Sequence, residues 1–206
     1  IMVHGDNNGL VLPPRVAPIQ IMIVPVRQQQ EGVLDRAYAL EKELKQAGLR
    51  VRVDASDKSP GWKFSEAEMR GIPLRIELGP KDIEQNQCVI AKRNDGTKQT
   101  IALDDQLVTT IKNLLNQIHD EMYAKAQKHL QEHTTRVQTK DEFVDVLENK
   151  TGFVQAPWCG DTACELKIKE ETTATSRCIT NEEVHNETCI CCGKPAKHIV
   201  NFAKSY

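Results

Sequence analysis

The chain has 206 residues, a formal net charge of −2, 39% hydrophobic residues and 27% charged residues. At roughly 150 residues per domain, this is one or two domains with length enough to bury a core. No apolar run approaches the roughly 18 residues of a membrane span, and no charged-then-apolar leader precedes a small-residue cleavage site, so a cytoplasmic chain without membrane contact is expected. Balanced charge argues against a generic polybasic nucleic-acid binder while leaving room for a local basic patch.

The chain starts abruptly. Ile1–Val3 reads as the end of a buried strand, His4-Gly5-Asp6-Asn7-Asn8-Gly9 as a turn cluster and Pro13-Pro14 as an extended connector. A strand with no nearby partner suggests that residues 1–16 close a preceding domain; a disordered chain end is the alternative. From 18 to 26 an almost unbroken apolar run predicts a strand covered on both faces. Val33, Leu34, Ala37, Leu40, Leu44 and Ala47 recur at helical spacing, with Gly48 placed to end the helix. Alternation predicts a strand over 49–53. Ser59-Pro60-Gly61-Trp62 reads as a turn, 64–70 as a short helix stopped by Gly71, and 73–78 as a cleanly alternating strand. Residues 87–93 and 97–103 flank Asn94-Asp95-Gly96 and predict a hairpin. After Asp104-Asp105, an apolar stripe of Leu107, Ile111, Leu114, Ile118, Met122, Ala126 and Leu130 predicts a long helix. Strands alternating with helices imply a layered α/β domain over about 17–136, with a mixed sheet flanked by helices. A further helix is predicted over 141–147, and an apolar run closes the chain at 198–203.

Of seven cysteines, six lie at position 159 or later. Cys159-x4-Cys164 and Cys189-x2-Cys192 bracket a loop, which is the spacing of a tetrahedral zinc site; Gly160 and Gly193 supply the tight turns after each jaw. Few large apolar residues surround them, so a metal is expected to stand in for a core in a small α+β, zinc-stabilised domain over 137–206. Disulfides or buried thiols are the alternative, disfavoured without a secretion signal. Cys191 is a rival for the place of Cys192. Cys88 and Cys178 read as packing residues.

Six segments taken together resemble prolyl-tRNA synthetases of the eukaryote/archaeal type. They are 4–15 (HGDNNGLVLPPR), 59–64 (SPGWKF), 71–82 (GIPLRIELGPKD), 157–160 (PWCG), 189–195 (CICCGKP) and the terminal 202–206 (FAKSY). The resemblance runs nearly end to end. It implies that residues 1–16 end a class II catalytic domain, that 17–136 form an anticodon-binding domain and that 137–206 form a zinc-binding C-terminal domain. The catalytic motifs, with their ATP and magnesium, would precede Ile1, so this stretch alone is expected to be inactive as a proline–tRNA ligase. The expected partner is proline tRNA. Dimer contacts of the full-length family would lie in the catalytic domain, so this stretch is compatible with a monomer.

The resemblance further points to Phe64 for stacking on an anticodon base and Glu68, one turn later, for accepting from the donor edge of guanine. Lys92 and Arg93 are candidates for the acceptor edge of guanine or for phosphate, and Arg75, Glu77 and Lys81 are weaker candidates. Four of them have a plainer reading: Phe64 as core, Glu68 as a solvated helix charge, Arg75 and Glu77 as partners of each other. Residues 58–100 hold eight basic and six acidic residues, a small positive bias in the right place. Four cysteines would hold a structural zinc, with Cys192 preferred over Cys191 because Gly193-Lys194-Pro195 follows it as a knuckle, and Tyr206 would fold back towards the active site. A non-catalytic, synthetase-like binding or regulatory module is the alternative function.

Overall fold

The computed structural model describes residues 3–204 and divides the chain into two compact units, Ile1–Ala126 and Gln127–Tyr206. The expectations for Ile1, Met2 and Tyr206 lie outside the described residues. Val3, expected to end a buried strand, is exposed in a turn.

In the first unit, residues 6–12 lie along the start of the domain: Leu10 N donates to Met69 O (3.0 Å) and Leu12 N to Gly71 O (3.1 Å). Strand β1 (Ile21–Pro25) is wholly buried, as its continuous apolar run requires. Helix α1 (Val33–Gln46) buries Val33, Ala37, Leu40 and Leu44, and Gly48 follows it with φ +85°. Strand β2 (Val51–Val53) leads to helix α2 (Pro60–Met69). This helix begins four residues earlier than the sequence suggests. Ser59 is its N-cap, accepting from Trp62 N, and Pro60 occupies the first turn, where a missing N–H costs nothing. The Ser-Pro pair read as a turn is therefore a helix start.

Strand β3 (Leu74–Leu78), the short helix α3 (Pro80–Glu84), strands β4 (Gln87–Lys92) and β5 (Lys98–Ala102) and helix α4 (Leu107–Glu132) complete the set. The sheet order is β2-β1-β3-β4-β5. β1 pairs in parallel with β2 and β3, and the hairpin adds two antiparallel strands. Ile21 and Ile23 face a core shared with α1 and α4, while Met22 and Val24 face Ala67 of α2, so α2 stands alone on its side of the sheet. In α4 the buried positions are Leu107, Ile111, Leu115, Ile118 and Met122. Leu130, expected in the stripe, is exposed because the helix outruns the sheet that buries its first four turns.

The second unit contains β6 (Thr134–Arg136), α5 (Lys140–Asn149), β7 (Phe153–Trp158), α6 (Thr162–Thr172), β8 (Ala174–Ile179) and β9 (His198–Lys204) in a sheet of order β6-β7-β9-β8. Thr139 and Glu142 form a capping box at the start of α5. The expected thin interior is corrected: Val137, Phe143, Val154, Ile168, Val200 and Phe202 belong to a true apolar core, with Phe143 and Phe202 edge to face at 5.4 Å. Cys88 is fully buried in β4 as expected. Cys178 is not a packing residue; a register shift between Ser176 and Cys178 turns it outward, and it is exposed.

Candidate nucleic-acid interface and metal centre

Helix α2 and strand β3 set the first site. Phe64 and Glu68 lie one turn apart on α2, and β3 carries Arg75 beneath them. The Arg75 guanidinium donates to Glu68 Oε1 (2.8 Å), to the Phe64 carbonyl (3.3 Å) and twice to Glu77 Oε1 (3.0 and 3.2 Å). Its central carbon sits 4.3 Å from the centre of the half-buried Phe64 ring, and Lys98 Nζ lies 5.3 Å from the same ring. Lys98 also donates to Glu77 Oε1 (2.8 Å). Only 7% of the Arg75 side chain is exposed against 43% for Glu68, so the arginine is a buried post and the glutamate an accessible edge. Among the described residues, no bond is made to Glu68 Oε2.

The hairpin supplies the opposite wall. Lys92 Nζ binds Asp95 Oδ2 and Glu121 Oε2, each at 2.9 Å. Burial works against its charge, but the two carboxylates outweigh burial and hold its pKa above the usual lysine value. Arg93 donates through Nε to the Glu68 carbonyl (2.9 Å) and clasps Asp6 with both terminal nitrogens. Between the walls lies a cleft of about 300 Å³ lined by Asp6, Glu68, Arg75, Lys92, Arg93, Asp95 and Lys98, among others.

The fold therefore brings Phe64, Glu68, Arg75, Glu77, Lys92 and Arg93 into one neighbourhood, and leaves Lys81 exposed on α3 outside the cleft. Arg75 and Glu77 pair with each other, and the charged heads of Lys92 and Arg93 are spent on protein carboxylates. Lys98, Asp6 and Glu121 were not anticipated. Of these only Lys98 left a local trace, since the hairpin register sets it opposite Ala91, one pair from the turn.

The second site is at one end of the second unit's sheet. Cys159 follows β7. Gly160 turns the chain at φ +86°, Asp161 caps α6, and Cys164 sits in that helix's first turn. Cys189 and Cys192 sit on a knuckle closed by Cys189 N→Lys194 O (2.8 Å) and Gly193 N→Cys189 O (2.9 Å), and Ile190 N→Pro157 O (3.2 Å) ties it to β7. All four sulfurs lie within 4.8 Å of one another, with Cys159 at 3.7 Å from both Cys164 and Cys192. A tetrahedron of sulfurs 2.3 Å from its centre has edges of about 3.8 Å, whereas a disulfide would need about 2.05 Å. The donor set thus fits a tetrahedral soft-ligand metal. Burial pushes the Cys159 and Cys164 thiols up, while the Lys194 backbone N–H draws Cys192 down to about 7. A cation among them would supply the charge that their ionisation lacks. Cys191 packs beside the group but is not one of the four.

Comparison with known proteins matches a domain family to part of each unit. Residues 20–114 match the family model for the anticodon binding domain, and residues 140–206 match that for the prolyl-tRNA synthetase C-terminal domain. The chain thus joins an anticodon-binding domain to a synthetase C-terminal domain. Over its whole length it is 53% identical to proline–tRNA ligases of Lachnospira eligens and Lachnoclostridium phytofermentans and 51% identical to that of Clostridium novyi, and it spans 43% of the length of each. The chain belongs to the proline–tRNA ligase family and corresponds to its C-terminal part. Among the described residues no helix is long and apolar enough to cross a membrane.

Proposed function

We propose that this chain reads the anticodon of proline tRNA for a cytoplasmic proline–tRNA ligase. The observation that carries the reading is the Phe64–Arg75–Glu68 arrangement: a ring and a carboxylate one helical turn apart, both fixed from below by one buried guanidinium. A splayed base can stack on the ring side while its donor edge meets Glu68, whose outer oxygen takes no donor among the described residues. Guanine, with two adjacent N–H donors on its pairing edge, suits that acceptor. Arg75 positions both groups and Glu77 steadies Arg75. Lys92 and Arg93 hold the hairpin wall upright, Lys98 lines the rim and Lys81 is peripheral.

Prolyl-adenylate formation, with its ATP and magnesium, and the dimer contacts would belong to the rest of such a ligase. Cys159, Cys164, Cys189 and Cys192 would hold one structural zinc ion. Bound there, zinc would act as a cross-link between β7, α6 and the knuckle, with four protein ligands and no position left for a reactant.

Gel-shift titration of proline tRNA tests this reading. Phe64→Ala and Glu68→Ala should each weaken binding about tenfold or more, and Lys81→Ala far less. Unchanged binding by both of the first two variants would remove the assignment.

A further inference from the structure

The other flank of α2 carries a second aromatic surface. Trp62 is two positions from Phe64, and residues i and i+2 of a helix do not share a face. With Glu66 and Arg70 at successive four-residue steps, Trp62 forms the flank turned towards β2, whereas Phe64 and Glu68 form the flank turned towards β3. A separate cleft of about 320 Å³ opens there, lined by Arg52, Trp62, Lys63, Glu66 and Arg70 among others.

Three features of this cleft point to a ligand with flat rings and negative charge. Trp62 is 47% exposed although it is the largest side chain on the helix. Its ring has a cation nearby, Lys58 Nζ at 5.6 Å from the centroid. Arg52, exposed on β2, makes no ion pair among the described residues. The floor is rigid: the buried Lys63 ammonium donates to Gln28 Oε1 (2.8 Å) and to the Asp54 carbonyl (2.9 Å), tying α2 to the ends of β1 and β2. Arg70 is paired to Glu66 (2.6 Å), which leaves Arg52 as the unpaired cation of the rim among the described residues. An exposed indole on a rigid floor beside such an arginine is the pattern of a base-stacking platform with a phosphate contact.

We propose that the Trp62 flank is a second nucleotide site, on which an unpaired nucleotide of the same RNA loop stacks while its neighbours meet Phe64 and the Glu68 cleft beside it. The loop would straddle α2, a body about 10–12 Å across, with Arg52 on a phosphate. This inference rests on the anticodon reading above, and its test separates the two.

The probe is the anticodon stem-loop of proline tRNA, titrated into the whole chain while tryptophan emission is followed. The chain has two tryptophans, Trp62 and Trp158. Discrimination by the unsubstituted chain between this stem-loop and one with altered anticodon bases is read first and judges the anticodon reading alone. The second site then predicts RNA-dependent quenching that survives Trp158→Phe and disappears in Trp62→Phe. It also predicts an affinity loss of about 5- to 150-fold in Trp62→Ala, and a salt slope smaller by about 0.7 in Arg52→Gln. Circular dichroism identical to that of the unsubstituted chain guards against misfolding. Quenching that persists in Trp62→Phe, or Trp62→Ala binding as tightly as the parent while the anticodon is still discriminated, overturns the proposal and leaves the Phe64 site standing.

Discussion

Arg93 and Asp6, 87 residues apart in sequence, are joined by two parallel hydrogen bonds, Nη1 to Oδ2 at 2.7 Å and Nη2 to Oδ1 at 2.6 Å. The guanidinium is 5% exposed and the carboxylate 44%. Since Arg93 Nε also holds the Glu68 carbonyl, this pair fastens the leading turn, the end of α2 and the hairpin to one another.

The pair gives the first unit an acid-sensitive element. The Arg93 hydrogen bonds hold the Asp6 carboxyl down to about 2. An acid with a folded pKa below its unfolded value, near 3.9, stabilises the fold above that value and loses the contribution as pH falls through the folded pKa. Asp6→Asn should therefore lower the melting temperature at pH 5–7, by about 1–3 kcal/mol of stability, because Arg93 is left buried without its charge partner. The gap between parent and variant should close between about pH 4 and pH 2. A gap independent of pH would show that the ion pair does not stabilise the fold.

Backbone crowding gives a prediction for the second unit. A methyl group on Gly152 would lie 2.0 Å from the His133 carbonyl oxygen, at a φ of +119°. That oxygen accepts from Phe153 N at 2.7 Å, beside the parallel β6–β7 pairing. Gly152→Ala should cost about 2 kcal/mol or more by forcing this contact apart. Gly61→Ala, inside α2 with open space around it, should instead stabilise by about 0.4–1 kcal/mol. Urea titrations of the two variants decide this; similar midpoints would refute the steric account.

The cysteine cluster predicts about one zinc per chain by elemental analysis. Cys191→Ser should retain the metal, and Cys192→Ser should lose most of it and lower the melting temperature. Chelation of the parent should expose reactive thiols and destabilise the second unit. Equal metal loss in both variants would contradict the assignment of the fourth ligand.

Legibility followed the range of the forces involved. The unbroken apolar run of β1 and the three- and four-residue steps of α1 are local patterns set by burial, and both could be read directly. The start of α2 was hidden because Ser59-Pro60 serves equally in a turn and at a helix N-terminus. Helix α6 was invisible: it buries only Cys164 and Ile168, too few for a periodic stripe. At the metal centre, short cysteine spacings are local and could be read. At the cleft, the Phe64–Glu68 pair was legible as one helical turn. The pairing of Arg75 with Glu77, two residues away on one strand face, was legible too. That Lys92 and Arg93 would be neutralised was not, because Glu121 and Asp6 reach them across 29 and 87 residues.

The most direct test of the central claim is the affinity of the whole chain for proline tRNA against the same tRNA with its anticodon guanines replaced. If the Phe64–Glu68 edge reads those bases, replacement should weaken binding about tenfold or more, and Glu68→Ala should reduce that difference. Equal affinity for the two tRNAs would contradict the account.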